Sequence, residues 1–536
     1  MKKTALFATV LLFYATNLLA NFSLQKLQVN YQTTPLGTDI KTPQFSWQMK
    51  ALDNLRGYQQ KAYQIIVTDD AFNIIWNSGK VDSDISVGIE YQGEVLKPNS
   101  RYHWNLSVWD KKGELAATSS WFETGMLSGN LEGWSGAKWI GGATEDMVLY
   151  SHYLSVFKIQ YQIQLDKVSN SSKASFVFGA NDPRLFNKNL NLMGVENKIN
   201  QSYIAVELDI STLSQELTST AKLNIYRVGY TQKDKKDFPI KSFSIPQSII
   251  NNNNKFNYHQ ISMDCNFGVF DFYIDGDDAT HKMGDSNSNT QSFSPTGLNL
   301  NPVGSGNNFI SFPMVNDIGF KTDANQIANF SSIEIKNLRK PSNILFAETI
   351  DESNYKGIFK SSSIQIQGNS YHVLSNIIFT ANPSKNASPM LRTEFKTAAK
   401  TIKKARLYVT ARGIYEIYMN GKRIGKDCFN PGLTQYNKHH MYQTYDVTAA
   451  INPKSPNVLG ACMSEGWWSG NITFSGDSWN FFGDRQSLLA KLVVTYSDGK
   501  EQIITTNNKE WKYFNDGPIR YSSFFQGEVY DARKED

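Results

Sequence analysis

The stretch ARLYVTARGIYEIYMNGKRIGKDCFNPGLTQYNKHHMYQTYDVTAAINPKSPNVLGACMSEGWW, Ala405 to Trp468, decides the architecture. Ala405, Leu407, Val409 and Ala411 alternate with Arg406, Tyr408, Thr410 and Arg412, the period-two pattern of a strand with one face in a core. A second run, Tyr415 to Met419, ends at Asn420-Gly421, and the chain turns back through Lys422, Arg423 and Ile424. Both turn residues tolerate the positive φ of a type I′ turn, so this reads as a hairpin. Beyond the loop Asn430-Pro431-Gly432 come Tyr445 to Thr448, Val458 to Gly460, and Gly466-Trp467-Trp468. The segment is a β-sandwich with long, shaped loops.

The ordered series RLYVTARGIYEIYMNGKRIG, NPGLTQYNK, YQTYDVT and NVLGACMSEGWWSG resembles the N-terminal β-sandwich of bacterial α-L-rhamnosidases. Pro389 to Phe395 and the closing Gly527-Glu528-Val529-Tyr530-Asp531-Ala532-Arg533 extend the likeness. Turn chemistry and core packing account for most of these residues one by one, but not for their order. The resemblance implies a sandwich that stands before a catalytic (α/α)6 barrel. It also implies, for the complete enzyme, inverting hydrolysis of terminal α-L-rhamnosyl groups.

Outward from that segment, 536 residues call for three or four domains. A hydrophobic fraction of 40% with 13% aromatic residues describes an aromatic-rich globular chain rather than a disordered one. The net charge of +5 is small for the length and forms no basic stripe, so nucleic acid is not an expected partner. Met1-Lys2-Lys3, the apolar run from Ala5 to Ala15 and the small residue Ala20 read as a secretory signal peptide cleaved after Ala20. The expected location is therefore secreted or periplasmic, with no membrane span. Cys265, Cys428 and Cys462 match no disulfide framework, and unpaired thiols are the expectation, although export permits a Cys428–Cys462 pair.

In chain order the reading is all-β and multidomain. Residues 1–20 are the signal peptide, and residues 21–128 read as one small domain. There Tyr102, Trp104, Leu106 and Val108 alternate toward a core, and LKPNSRYHWNLSVWDKKGE resembles a fibronectin type III-like module. WSGAKWIGG lies within residues 129–149, a linker with the first part of the rhamnosidase-type sandwich. Residues 150–340 are rich in Asn, Ser and Phe, with regularly spaced strands between long polar loops, including Gly284 to Asn308. They read as an inserted jelly roll. FDFYIDG within them resembles concanavalin-like and laminin-G-type sandwiches, and that likeness implies an inserted carbohydrate-binding module. The main sandwich resumes over residues 341–536. No helical period of real length follows the signal peptide.

Glycoside hydrolysis needs two carboxyl groups flanking the scissile bond. The resemblance places that pair in the helical barrel, near an Asp-Cys-Pro-x-Arg-Asp-Glu-like motif which this sequence does not contain. No catalytic residue is therefore assigned here, and a separately encoded barrel is one expected partner. Asp446, Glu465, Asp477 and Asp484 sit near aromatic residues, with surface or turn-capping roles as the plain reading. A rhamnose-containing carbohydrate is the expected ligand, since sugars want aromatic faces and amide or carboxylate partners. Two places offer these. Asn181 and Asp182 follow the strand Phe176 to Gly179 and can meet hydroxyls directly or through Ca²⁺, the one cofactor considered; the plainer reading is an Asx turn before Pro183. Glu465-Gly466-Trp467-Trp468-Ser469-Gly470 with Trp479 can form part of a pocket wall, or a packed turn at a domain boundary. Two other readings stay open: a stand-alone carbohydrate-binding protein, and an inactive fragment of a split or truncated gene.

Overall fold

The computed structural model describes residues 20–535 apart from 55, 214–217, 285–296, 303–311, 349, 351–354, 356 and 474–478. The signal peptide up to residue 19, Asp477 and most of the loop from Gly284 to Asn308 lie outside the described residues. Those that are described fold into strands and short turns, and their α-helical content is the single turn Gly466–Ser469. The chain divides into two compact units. One takes in the residues up to Ile140 with Leu391–Cys462 and Ser487–Lys512, the other Gly141–Met390, Met463–Gln486 and Tyr513–Asp536.

In the first unit, strands Phe22–Val29, Gln44–Ala51 and Ile89–Glu90 form one sheet. Facing them, Leu36–Thr38, Leu115–Thr124, Arg101–Asp110, Gln60–Asp69 and Ile74–Asn77 follow in order in a second. Tyr102, Trp104, Leu106 and Val108 point into the shared core, where Phe45, Trp47, Ile65 and Phe122 meet them. Trp47 and Trp104 are wholly buried, so they are packing residues. Each such side chain withdrawn from water contributes about 1.5–3 kcal/mol.

The opening segment up to Cys462 belongs to that unit too, with Ser487–Lys512. Strand Ile402–Arg412 runs antiparallel to Ser487–Tyr496, with Leu407 opposite Leu492 and Val409 opposite Ala490. Ile414–Met419 and Lys422–Arg423 pair as a hairpin. Its turn residues Asn420 and Gly421 have φ of 52° and 79°, as the type I′ reading requires.

The second unit is a sandwich of two antiparallel sheets. One runs Val269–Ile274, His259–Asn266, Val156–Leu165, Ala328–Asn337, Ser370–Val373 and Ile364–Gln367. The other runs Lys241–Ile245, Ala221–Val228, Tyr203–Asp209, Lys173–Ala180, Asp317–Thr322 and Ile377–Ala381. Phe157, Ile159, Tyr161, Ile163 and Leu165 from the first sheet meet Phe176, Phe178, Ile204 and Val206 from the second in one core. These sheets pass the boundary at residue 340 that composition suggested. Lys340–Ala347 pairs with Ala328–Asn337, and Ile377–Ala381 closes the edge of the second sheet. The three thiols are free, Cys265 buried and Cys428 exposed.

Candidate functional site

Asn181 and Asp182 stand where the sequence put them, at the end of strand Lys173–Ala180. Their polar atoms, however, are used inside the protein. The Asn181 amide donates to Asp317 Oδ2 at 2.8 Å and Thr380 Oγ1 at 2.9 Å, while its oxygen accepts from the Asn200 N–H at 2.7 Å. The Asp182 carboxylate is 1% exposed. It accepts from the backbone N–H of Arg184 at 2.9 Å, from the Arg184 guanidinium at 2.6 Å and from Asn316 Nδ2 at 3.1 Å. Burial raises the pKa of the neighbouring Asp317 and lowers that of His152. Asp182 thus caps the turn Pro183–Leu185, which is the Asx-turn reading in a buried setting. This arrangement does not fit Ca²⁺. A guanidinium occupies the carboxylate that a cation would need, and no group of three or more His, Cys, Asp or Glu side chains converges among the described residues.

The second place is richer. Strand Asn457–Ser464 leads into the turn Gly466–Ser469, and the Ser464 hydroxyl donates to the Ser522 carbonyl at 2.6 Å. That bond sets Glu465 beside strand Ile519–Ser523. Glu465 is 5% exposed, so the surface or turn-capping role expected of it is corrected. Interactions with the Tyr521 hydroxyl and the Trp479 indole pull its pKa down, but burial outweighs both and pushes it up to about 8. Its Oε2 has no hydrogen-bond partner among the described residues. Gly470 makes room for it: a Cβ there would lie 2.4 Å from the Gly466 carbonyl and 3.2 Å from Glu465 Oε2.

Beside this carboxyl lies a small, partly open cleft. Trp479, Tyr521 and Gln526 line it together with Tyr150, Tyr153, Asn337, Arg339 and Asn471. Tyr150 stacks on Tyr521 at 5.7 Å between ring centroids, and Tyr153 meets Tyr521 edge-on at 5.5 Å. Asn337 accepts the backbone N–H groups of Arg339 and Lys340 at 2.9 and 3.2 Å, which fixes its oxygen inward on the hairpin turn. Its Nδ2 and the Oδ1 of Asn471 are buried without partners among the described residues. Of the three tryptophans named from the sequence, only Trp479 lines the cleft. Trp467 packs on Phe524 at 4.1 Å, and Trp468 donates its indole N–H to the Arg485 carbonyl at 2.9 Å. Sequence reasoning missed Tyr150, Asn337 and Tyr521. The alternation of Tyr521 in RYSSFF was the one available signal, and it marks a strand, not a site.

Residues 400–536 match the family model of the α-L-rhamnosidase N-terminal domain, and residues 24–128 that of the Rha78A-like N-terminal immunoglobulin domain. A curated α-L-rhamnosidase of Streptomyces avermitilis is 30% identical over 517 residues, covering 95% of this chain and 42% of its own length. One from an Alteromonas species is 42% identical over 158 residues, 29% of this chain and 17% of its own. The crystal structure of Streptomyces avermitilis α-L-rhamnosidase complexed with L-rhamnose superposes with a TM-score of 0.51 at 25% identity, over 96% of this chain and 43% of that one. The chain therefore spans less than half the length of the relatives it matches. These matches identify it as β-sandwich domains of the N-terminal region of the α-L-rhamnosidase family.

Proposed function

We propose that this chain is the scaffold and substrate-binding portion of an α-L-rhamnosidase. The complete enzyme hydrolyses terminal α-L-rhamnosyl groups from glycosides or polysaccharides. One observation carries the reading: the likeness to the curated enzyme runs along 95% of this chain yet accounts for only 42% of that enzyme. The carboxyl pair that hydrolysis requires then belongs to the remainder. Glu465 is one buried carboxyl beside Tyr521 and Trp479. The stretch Met1 to Ala20, read as a leader, fits an enzyme that meets glycosides or polysaccharides outside the cell.

Incubation with an aryl α-L-rhamnoside, alongside calorimetric titration with L-rhamnose, tests this. Binding without release of the phenol above a buffer blank is the expected result. Steady phenol release would overturn the assignment of hydrolysis to the rest of the enzyme. Absence of any rhamnoside binding would overturn the substrate-binding role.

A further inference from the structure

Two loops of the second unit leave one end of a sheet side by side. Residues 181–202 join Lys173–Ala180 to Tyr203–Asp209, and residues 229–240 join Ala221–Val228 to Lys241–Ile245. The antiparallel register, with Phe178 opposite Ile204, Tyr203 opposite Val228 and Ile225 opposite Lys241, brings both out at the same end. They touch there. Asn197 Nδ2 donates to the Gly229 carbonyl at 2.8 Å, and a Cβ on Gly229 would lie 2.2 Å from the Gln201 carbonyl. The first loop is clamped by Asn191, whose Nδ2 donates to the carbonyls of Asn187 and Val195 at 2.8 and 2.9 Å and whose Oδ1 accepts the Val195 N–H at 3.2 Å. Leu190 and Leu192 flank that clamp, and with Ile199 and, on the second loop, Phe238 they are between 65% and 77% exposed. The clamp holds the backbone with its leucines turned to water, where each forgoes the gain of burial. Single exposed apolar residues are ordinary, but four on two touching loops mark an interaction surface.

The charges on the same loops select the partner. Lys198, Lys233, Lys235 and Lys236 are exposed. Asp234, which stands among them in sequence, is turned inward with its side chain 3% exposed. It takes the Arg227 guanidinium at 3.0 Å and the backbone N–H groups of Tyr230 and Thr231 at 3.0 and 2.8 Å. Lys188 and Glu196 lie 3.9 Å apart and offset each other, so Asp237 is the exposed acid that remains beside the four lysines. We propose that these loop tips dock on an anionic phospholipid surface. The four apolar side chains enter the boundary between headgroups and acyl chains, and the lysines meet the headgroup charge. Long lysine stems let the ammonium groups stay at that level while the leucines go deeper. A polyanion in solution would answer the lysines and give the leucines no apolar phase. An apolar protein groove would answer the leucines and leave the lysines without counter-charge. A lipid surface answers both, and the assignment does not rest on the carbohydrate reading of the chain.

Co-sedimentation of the full chain with phosphatidylcholine vesicles, with and without phosphatidylglycerol, tests this. Binding is expected to the vesicles that contain phosphatidylglycerol, and it should weaken as salt is raised. Leu190→Ser with Leu192→Ser should weaken it about tenfold, and so should Lys235→Gln with Lys236→Gln. Val168→Ser removes an exposed apolar side chain from the turn that precedes Lys173–Ala180, at the opposite end of the sheet, and should leave binding as it was. All these positions are exposed, so melting temperatures equal to the parent's are expected. The proposal falls if the parent chain stays in solution beside the anionic vesicles. It falls too if the folded leucine variant binds like the parent, or if Val168→Ser weakens binding as much. Soluble polygalacturonate separates the two anionic classes: tighter binding to it than to the vesicles, unchanged in the leucine variant, would make the loops a polyanion site and overturn the lipid surface.

Discussion

Arg406 and Glu123, 283 positions apart in sequence, form a two-point ion pair, Nε to Oε1 at 2.6 Å and Nη2 to Oε2 at 3.0 Å. Their side chains are 3% and 1% exposed. Arg406 lies on strand Ile402–Arg412 and Glu123 on strand Leu115–Thr124, within the first unit. Removing the carboxylate leaves the buried guanidinium with the half-exposed Asp446 carboxylate, 2.9 Å from its Nη1, as counter-charge. Glu123→Ala should cost about 3–5 kcal/mol of unfolding free energy, read as a lower urea midpoint. A double change to Leu at position 123 and Met at 406 should recover most of it, because the desolvation of both charges disappears. Equal losses in single and double variants would show that packing, not charge, holds the site.

Glu465 sets a pH dependence whose sign is opposite to that of a salt-bridged acid. Its folded pKa of about 8 lies above the roughly 4.3 of an unfolded glutamate. Between those values the unfolded chain has released its proton and the folded chain has not, so stability falls as pH rises and levels off above pH 8. The contribution is fully present only below the unfolded value. Glu465→Gln should flatten this slope and, near pH 8.5, exceed the parent by roughly 3–5 kcal/mol. Thermal melts from pH 5 to 9 decide it, and parallel curves for the two proteins would refute the buried neutral acid.

Asp182→Ala should lower stability by about 2–3 kcal/mol, since the backbone cap, the Arg184 guanidinium and the Asn316 amide lose one shared acceptor. The Arg184 side chain is partly open to solvent, which keeps the loss below that of a fully buried pair. A melting temperature equal to the parent's would return Asp182 to the role of a free binding group.

Two glycines separate strain from collision. At Gly421, with φ of 79°, an added Cβ meets nothing within 4 Å. Gly421→Ala should therefore cost only the left-handed backbone term of about 1–2 kcal/mol. Gly470→Ala drives its Cβ against the Gly466 carbonyl and the Glu465 side chain. It should cost more and shift the Glu465 titration, which the Gly421 variant leaves alone. Chemical denaturation at two pH values distinguishes them.

The parts of the fold that were legible in the sequence are those fixed by near neighbours. Asn420-Gly421 declared its own turn, and Tyr102, Trp104, Leu106 and Val108 declared their face. What stayed hidden depends on pairings across long separations. Ile377–Ala381 closes a sheet with Asp317–Thr322, and no local pattern in IIFTA distinguishes that partner from any other. Trp479 was recognisable as a candidate by residue type alone. Glu465 was legible as part of the same stretch, but its burial was not, because that comes from Tyr521 and Trp479 packing over it, and a glutamate near aromatic residues in sequence is usually on the surface. Asn181 and Asp182 show the converse: the right chemistry at the right strand end, spent on holding the loop.

The cleft's lining has a mechanical consequence. It brings together stretches as distant in sequence as Tyr150 and Gln526, so the cleft exists only where several hundred residues of chain are already assembled. The support is spread unevenly. Strand Ile519–Ser523 pairs in its sheet with Gly527–Tyr530 alone, and such a two-stranded ribbon is marginal by itself. Its amide protons should exchange ahead of those of the two large sheets, which makes this ribbon a gauge of whether the cleft is assembled.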